Sequence, residues 1–273
     1  MQAHSLWTPP TGTLGMIVAE AERRAAILAG RTGELNERAE ALPLRPSLQS
    51  ALRQRSVSLL TEVKRQSPSK GIIAGTLDAV SQARAYAFGG AAGVSILTEP
   101  DHFGGSVADL RDVVRDVRLP VLKKDFHVQG VQLLEARVEG ASAALLIARA
   151  VSPDRLAELM AAGRKLKLEL VVEGRDEAEL ELALDLGATM IGVNNRNLET
   201  LVIDPTTAER LVPLIPAHVV AIAESGIATR ADVDRYAAAG ADAVLVGSSL
   251  SAAADPAAAT RSLAGVPRRD RAR

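Results

Sequence analysis

Cysteine is absent from the 273 residues, which removes disulfides, thiolate metal ligation and a thiol nucleophile together. Any chemistry must rest on carboxylates, lysines, arginines and hydroxyls. Aromatic residues are scarce: Trp7, Tyr86, Phe88, Phe103, Phe126 and Tyr236 are all there are, too few for the stacked platforms that hold single-stranded nucleic acid. The longest apolar stretches, such as Ala143 to Ala148, fall far short of the roughly 20 residues that cross a bilayer. The N-terminus has no basic segment followed by an apolar one, so no targeting leader is expected. Neither sign of charge dominates, with 32 Lys+Arg against 33 Asp+Glu and a net charge of -1, so nothing general draws the chain to nucleic acid or an anionic membrane. His4, His102, His127 and His218 are scattered without HExxH-like spacing, and no metal is expected. A cytoplasmic protein without nucleic-acid or membrane partners is the expectation.

What the chain does have is 47% hydrophobic and 24% charged residues, the profile of a folded globular protein. A Gly-Ala pair closing a helical stretch and leading straight into an apolar strand recurs four times. Gly90-Ala91-Ala92-Gly93 precedes Val94 to Leu97, Gly140-Ala141 precedes Ala143 to Ile147, Gly187-Ala188 precedes Met190 to Val193, and Gly240-Ala241 precedes Ala243 to Val246. Glycine suits the left-handed residue that ends a helix, and an unbroken apolar run suits a strand covered on both faces. Leu59 to Val63, Pro120 to Leu122, Leu168 to Val172 and Val219 to Ala223 supply four more strands. Ser152-Pro153, Asp204-Pro205 and Asp255-Pro256 each place a capping side chain before a proline that opens a helix.

Eight strands alternating with helices, and no GxGxxG after the first strand, predict an α/β fold of the (β/α)8 TIM barrel type with an N-terminal helical extension. Residues 1–54 form that extension, with helices expected over Leu14 to Leu28 and Pro43 to Arg53; residues 55–265 form the catalytic barrel. Residues 266–273, carrying Arg268, Arg269, Arg271 and Arg273, read as a basic tail that frays in solvent.

Working residues of such a barrel lie where strands end. The first strand ends at Glu62-Val63-Lys64, and two-residue spacing puts Glu62 and Lys64 on one face. The third ends at Lys123-Lys124, the fifth at Glu173, the sixth at Asn194-Asn195-Arg196, the seventh at Glu224-Ser225-Gly226 and the eighth at Gly247-Ser248-Ser249. Each alone reads as a solvated charge or a turn. Together, six strands delivering polar groups to one rim point to a site, because charges near a barrel interior are costly unless paired. Lys124, Glu173, Glu62 and Lys64 make a mixed-sign set able to tune one another. If Lys124 faces inward, Lys123 faces the helices or solvent. Ser225-Gly226 and Gly247-Ser248 let backbone approach a phosphate.

The runs EVKRQSPSKG (Glu62 to Gly71), SILTEPDHFGGS (Ser95 to Ser106), PVLKKDF (Pro120 to Phe126), LLIARA (Leu145 to Ala150), IGVNNRNLET (Ile191 to Thr200), AESGI (Ala223 to Ile227) and VGSSL (Val246 to Leu250) together resemble indole-3-glycerol phosphate synthase, in order, nearly one motif per strand. The resemblance implies closure of the indole ring of 1-(2-carboxyphenylamino)-1-deoxyribulose 5-phosphate with loss of carbon dioxide and water, in tryptophan biosynthesis, without a cofactor. It implies Lys124 as general acid, Glu173 as base and stabiliser of a cationic intermediate, and Lys64 and Glu62 in the later dehydration. Asn194 and Ser225 complete the catalytic set. Ser67, Phe103, Arg196 and Glu224 are the implied substrate-binding residues, with Arg196 and Ser67 near the anthranilate carboxylate, and Gly226, Gly247 and Ser248 the phosphate cradle. The chain departs from the family at Glu173-Gly174-Arg175, where an aliphatic residue and then a small polar one are usual; Arg175 is expected to turn away from the pocket.

Two enzymes and one inert barrel compete with this reading. Phosphoribosylanthranilate isomerase needs a cysteine base that is missing here, and a Schiff-base aldolase would use Lys124 as a nucleophile. A silent barrel kept as a scaffold does not need Glu62, Lys64, Lys124, Glu173, Asn194 and Ser225 all present. A phosphorylated small molecule is the expected partner, and the chain a monomer or weak homo-oligomer.

Overall fold

The computed structural model describes residues 7–271, in which eight parallel strands close into a barrel. They are β1 (Ser58–Val63), β2 (Gly93–Leu97), β3 (Val121–Lys124), β4 (Ala143–Ile147), β5 (Glu169–Gly174), β6 (Met190–Asn194), β7 (Val220–Glu224) and β8 (Ala243–Val246). Each pairs with the next and β8 returns to β1, so the barrel has no open edge. Nearly every strand residue is buried, as expected for parallel strands walled by helices. Gly90, Gly140, Gly187 and Gly240 all adopt positive φ, which turns each preceding helix into its strand.

The outer helices are α4 (Ala79–Phe88), α5 (Val107–Asp116), α6 (Gly130–Val138), α7 (Pro153–Lys165), α8 (Glu177–Asp185), α9 (Thr206–Leu211), α10 (Arg230–Ala238), α11 (Ser248–Ser251) and α12 (Pro256–Leu263). Ser152 and Asp255 cap α7 and α12 by accepting from Arg155 and Ala258 N–H groups. At α9 the Asp204 carboxylate accepts instead from Thr206 N–H at 3.0 Å, one residue earlier in the turn.

The N-terminal extension winds along the whole height of the barrel. Helix α1 (Gly12–Ala29) lies across the rim at the strand C-termini, where Arg24 meets Glu99 and Asp125, both at 3.4 Å. A second helix, α2 (Thr32–Glu40), was not expected, because only Leu35 makes it apolar. It is held by the Arg31–Glu34–Arg38 ladder and by Leu35 packed on Leu134 and Val138 of α6. The helix expected over Pro43 to Arg53 shrinks to α3 (Leu48–Ala51), since Pro43 and Pro46 keep the approach extended. Leu48 closes the opposite end of the barrel, its side chain so near Gly93 that a Cβ there would lie 2.8 Å from Leu48 Cδ1.

The expected frayed tail is a correction. Val57 N–H donates to Val266 O and Arg268 N–H to Arg55 O, and Val266 and Arg271 are buried. Arg271 donates to the carbonyls of Ile215 and Val219, and Arg268 and Arg271 pair with Asp242 at 2.8 and 2.9 Å. Orphan carbonyls and one buried carboxylate at this end give the arginines partners that a charge count along the sequence does not reveal. Ala272 and Arg273 lie outside the described residues.

Candidate active site

Strand register brings the polar ends together. Glu62 lies level with Ser95, Glu173 with Gly192, and Asn194 with Glu224, while the alternation of β3 sends Lys124 inward and Lys123 outward to Glu135 of α6 at 2.6 Å. Inside the rim, Lys124 Nζ sits 3.1 Å from Glu173 Oε2 and 3.4 Å from Glu224 Oε2. Lys64 Nζ is 2.9 Å from Glu62 Oε1. Asn194 Nδ2 donates to Glu173 Oε1 at 2.8 Å, leaving the Glu173 carboxylate held on both oxygens.

Two glycines make room for these carboxylates. A Cβ on Gly192 would lie 2.2 Å from Glu224 Oε1, and one on Gly247 2.5 Å from Glu62 Oε1. Gly247, expected to free backbone for a phosphate, is thus bare in the first instance because Glu62 lies over it.

Burial sets the electrostatics, and charge pairing decides who wins. Burial alone would pull the Lys124 ammonium down, but Glu173, Glu224 and Glu62 around it hold its pKa well above the ordinary lysine value. Lys124 therefore stays protonated through neutral pH. Burial pushes Glu224 up to about 8; Lys124 opposes the rise, and the neighbouring Glu173 and Glu62 carboxylates add to it. Burial also works to raise Glu62, yet Lys64 and Lys124 beside it hold it below the usual carboxylate range. The cluster thus holds a protonated lysine, an ionised carboxylate at Glu62 and a largely neutral carboxyl at Glu224.

The family model described as indole-3-glycerol phosphate synthase matches residues 16–263. The chain belongs to the indole-3-glycerol phosphate synthase family. Among curated relatives of that name, the protein of Streptomyces griseus subsp. griseus is 47% identical over 243 residues, covering 89% of both chains. One from Dehalococcoides mccartyi is 47% identical over 215 residues, covering 78% of this chain and 83% of that one. A solved structure of 3-hexulose-6-phosphate synthase from Salmonella typhimurium overlays with a TM-score of 0.59 at 18% identity, covering 76% of this chain and 96% of the other; that likeness concerns the barrel alone.

Every residue that the family resemblance singled out lines one cavity at this rim: Lys124, Glu173, Lys64, Glu62, Asn194 and Ser225, with Ser67, Phe103, Arg196, Glu224, Gly226, Gly247 and Ser248. Ser67 Oγ is buried without a hydrogen-bond partner in the protein. Arg196 donates from its side chain to Leu201 O at 2.8 Å, has no carboxylate partner among the described residues, and burial lowers its guanidinium. Ser225 and Gly226 are consecutive residues of positive φ, at 70° and 78°, at the tight turn that follows β7.

Several lining groups escaped the sequence reading. Leu14 and Ile17 of α1 form a wall of the cavity, and Phe126 joins Phe103, ring centroids 6.1 Å apart, with Lys64 Nζ 5.6 Å above the Phe103 ring. The i, i+3 spacing of Leu14 and Ile17 showed a helix with a buried stripe but not what it buries against. Arg175 does not line this cavity; it lines an adjoining one together with Glu173 and Glu179, and its charge helps to lower Asp204. Glu20, Glu99 and His102 bring metal-capable atoms within 4.8 Å. Their bonding is already spent: Glu99 accepts from the amides of Asp101, His102 and Phe103, and His102 Nε2 bonds Glu20 at 2.7 Å. The trio ties α1 to the loop after β2.

Proposed function

We propose that this cavity closes the indole ring of 1-(2-carboxyphenylamino)-1-deoxyribulose 5-phosphate with Lys124 as the proton donor. The chain, by its family, is a lyase of tryptophan biosynthesis. Protonated Lys124 donates to the substrate carbonyl as the ring carbon attacks, and a donor must hold its proton at working pH, which the surrounding carboxylates secure. Glu173, oriented by Asn194, stabilises the cation formed on ring closure, and loss of carbon dioxide returns that cation to an aromatic ring. Lys64 and Glu62, 2.9 Å apart, act as acid and base in the dehydration. Arg196 and Ser67, both short of partners, receive the anthranilate carboxylate, and carbon dioxide leaves once the ring carbon that bears it has become tetrahedral. Phe103 and Phe126 flank the aromatic ring. The backbone of Ser225 and Gly226, with Ser248 opening α11, receives the phosphate. Glu224, largely neutral, hydrogen-bonds substrate rather than repelling it.

The observation that carries this reading is Lys124 Nζ held 3.1 Å from Glu173 in a cavity that also offers Ser67 Oγ without a hydrogen-bond partner and, among the described residues, an Arg196 guanidinium bonded only to the Leu201 carbonyl. A Schiff-base lysine needs a lowered pKa to be nucleophilic, and Lys124 is shifted the other way. The phosphorylated substrate is the one partner this reading requires, with the chain acting in the cytoplasm as a monomer or weak homo-oligomer. No helix among the described residues is long and apolar enough to cross a membrane. The test is the appearance of indole fluorescence on adding the carboxyphenylamino-deoxyribulose phosphate without any cofactor. Fluorescence with no borohydride-trapped adduct on Lys124 supports the reading. No fluorescence, or a trapped adduct, refutes it.

A further inference from the structure

Beside Glu173 a second cavity is lined by Arg149, Arg175, Glu179 and Glu199 and shares Glu173, Asn194 and Arg196 with the first. Glu179 stands in the first turn of α8, and its side chain folds back toward β5. Its Oε2 accepts from Arg175 N–H at 2.7 Å, while its own N–H donates to Asp176 Oδ1 at 2.8 Å. The short segment between the base and the helix is therefore pinned from both directions. Gly174 lies directly under this side chain: a Cβ there would come 3.2 Å from Glu179 Cβ and 3.6 Å from its carbonyl carbon.

We propose that Glu179 is a positioning residue for Glu173, acting through the Arg175 amide that it holds and the Gly174 backbone on which it rests. The inference depends on Glu173 being the working carboxylate, as proposed above. Gly174 is the residue that departs from the family pattern, and the freedom that a glycine adds next to a catalytic group is taken away by the Glu179 contact. A catalytic carboxylate displaced by about 1 Å can lose about 100-fold in rate, so the backbone that carries Glu173 needs such a hold.

The holding group is itself titratable. Burial pushes the Glu179 carboxyl up to about 7, Asp176 and Glu173 add to this, and the Arg175 amide and Arg149 oppose it. Facing it are Asp176 on its own loop, Glu173 on β5 and Arg149 on the turn after β4, with Arg175, Arg196 and Glu199 around the cavity. An ionised carboxylate accepts the amide proton more strongly than a neutral carboxyl. The grip on the base therefore tightens as pH rises through about 7.

The test compares Glu179→Ala, Glu179→Gln and Gly174→Ala with the wild-type chain, using kcat, KM and the pH profile of kcat. Glu179→Ala is expected to lose about tenfold in kcat with KM within about twofold. Glu179→Gln keeps an acceptor for the amide but not the charge: it restores most of the kcat at acidic pH and lacks the rise near neutrality that the wild type shows. Gly174→Ala, which pushes Glu179 aside, lowers kcat and leaves KM in place. A Glu179→Ala variant with wild-type kcat and only reduced thermal stability would make Glu179 a helix cap and overturn the inference. Should Glu179→Ala fail to fold, Glu179→Gln with an unchanged pH profile overturns it equally. Lys124→Ala run in parallel separates the two levels: if it stays active, the reading of the whole site fails, and if it alone is inactive, only the role of Glu179 fails.

Discussion

The two ends of the barrel use charged residues in opposite ways. At the strand C-termini, Glu62, Glu173 and Glu224 are each about 2% exposed and share two lysines, while Ser67 Oγ and Glu224 Oε1 have no hydrogen-bond partner in the protein. At the strand N-termini, Asp242 takes Arg268, Arg271 and the Ala221 amide, and Glu169 takes Ser47 Oγ and the Gln49 amide. Arg137 donates to the carbonyls of Leu42 and Pro43. One end leaves buried carboxylate and hydroxyl oxygens facing an open cavity, whereas at the other the buried carboxylates all meet partners within the protein and, among the described residues, only Arg45 Nε is left without one. A satisfied network stabilises, whereas an unsatisfied one in a cavity is poised for a ligand. Burial of charge alone does not separate a site from a seam; the unmet bonds do.

Substitutions at the two ends should break this contrast in different observables. The largest catalytic effect is expected for Glu173→Gln, which removes the charge while keeping the shape: kcat falls by about 10²–10⁴ with Tm unchanged or raised, as steady-state kinetics and thermal melts would show. A comparable loss of stability with little loss of kcat would place Glu173 in a structural role. At the other end, Asp242→Ala leaves Arg271 buried without its carboxylate and should cost about 3–5 kcal/mol in denaturant unfolding, with kcat per folded molecule unchanged.

A smaller effect belongs to Glu224. Its folded-state pKa of about 8 lies above the ordinary carboxylate value of 4.5, so the folded chain binds that proton more tightly than the unfolded one. Its contribution to stability is complete below about pH 4.5 and declines as pH rises through about 8. Glu224→Gln, which never ionises, should flatten the fall in stability over that window, and a wild-type slope in the variant would contradict the assignment. The smallest effect is expected for Arg175→Asn. Because Arg175 stays out of the cavity that holds Lys124, the acidic limb of the kcat profile should move by less than one unit, and a full unit upward would show that Arg175 tunes the base.

Much of this contrast was legible from residue order. Gly-Ala pairs followed by apolar runs marked strands at regular intervals, and two-residue spacing put Glu62 and Lys64 on one face because strand geometry is local. Lys124 could be separated from Lys123 by the same alternation. Relations across the barrel were not legible. That Gly247 is bare beneath Glu62, that Leu14 and Ile17 wall the cavity, and that Glu179 grips the Arg175 amide all depend on which strands and helices meet. The tail misled because its arginines, exposed by composition, find carbonyls of Ile215, Val219 and Gly240 that only folding gathers. Helix α2 was missed because its stability comes from ion pairs and one leucine rather than an apolar stripe.

The central claim is that Lys124 is the proton donor of the rim cavity, and the kcat of Lys124→Ala tests it most directly, with circular dichroism on the same sample to certify the fold. The account predicts a folded protein in which indole formation is reduced by at least about 10²–10⁴. A folded Lys124→Ala variant that forms indole at a near-normal rate would contradict it.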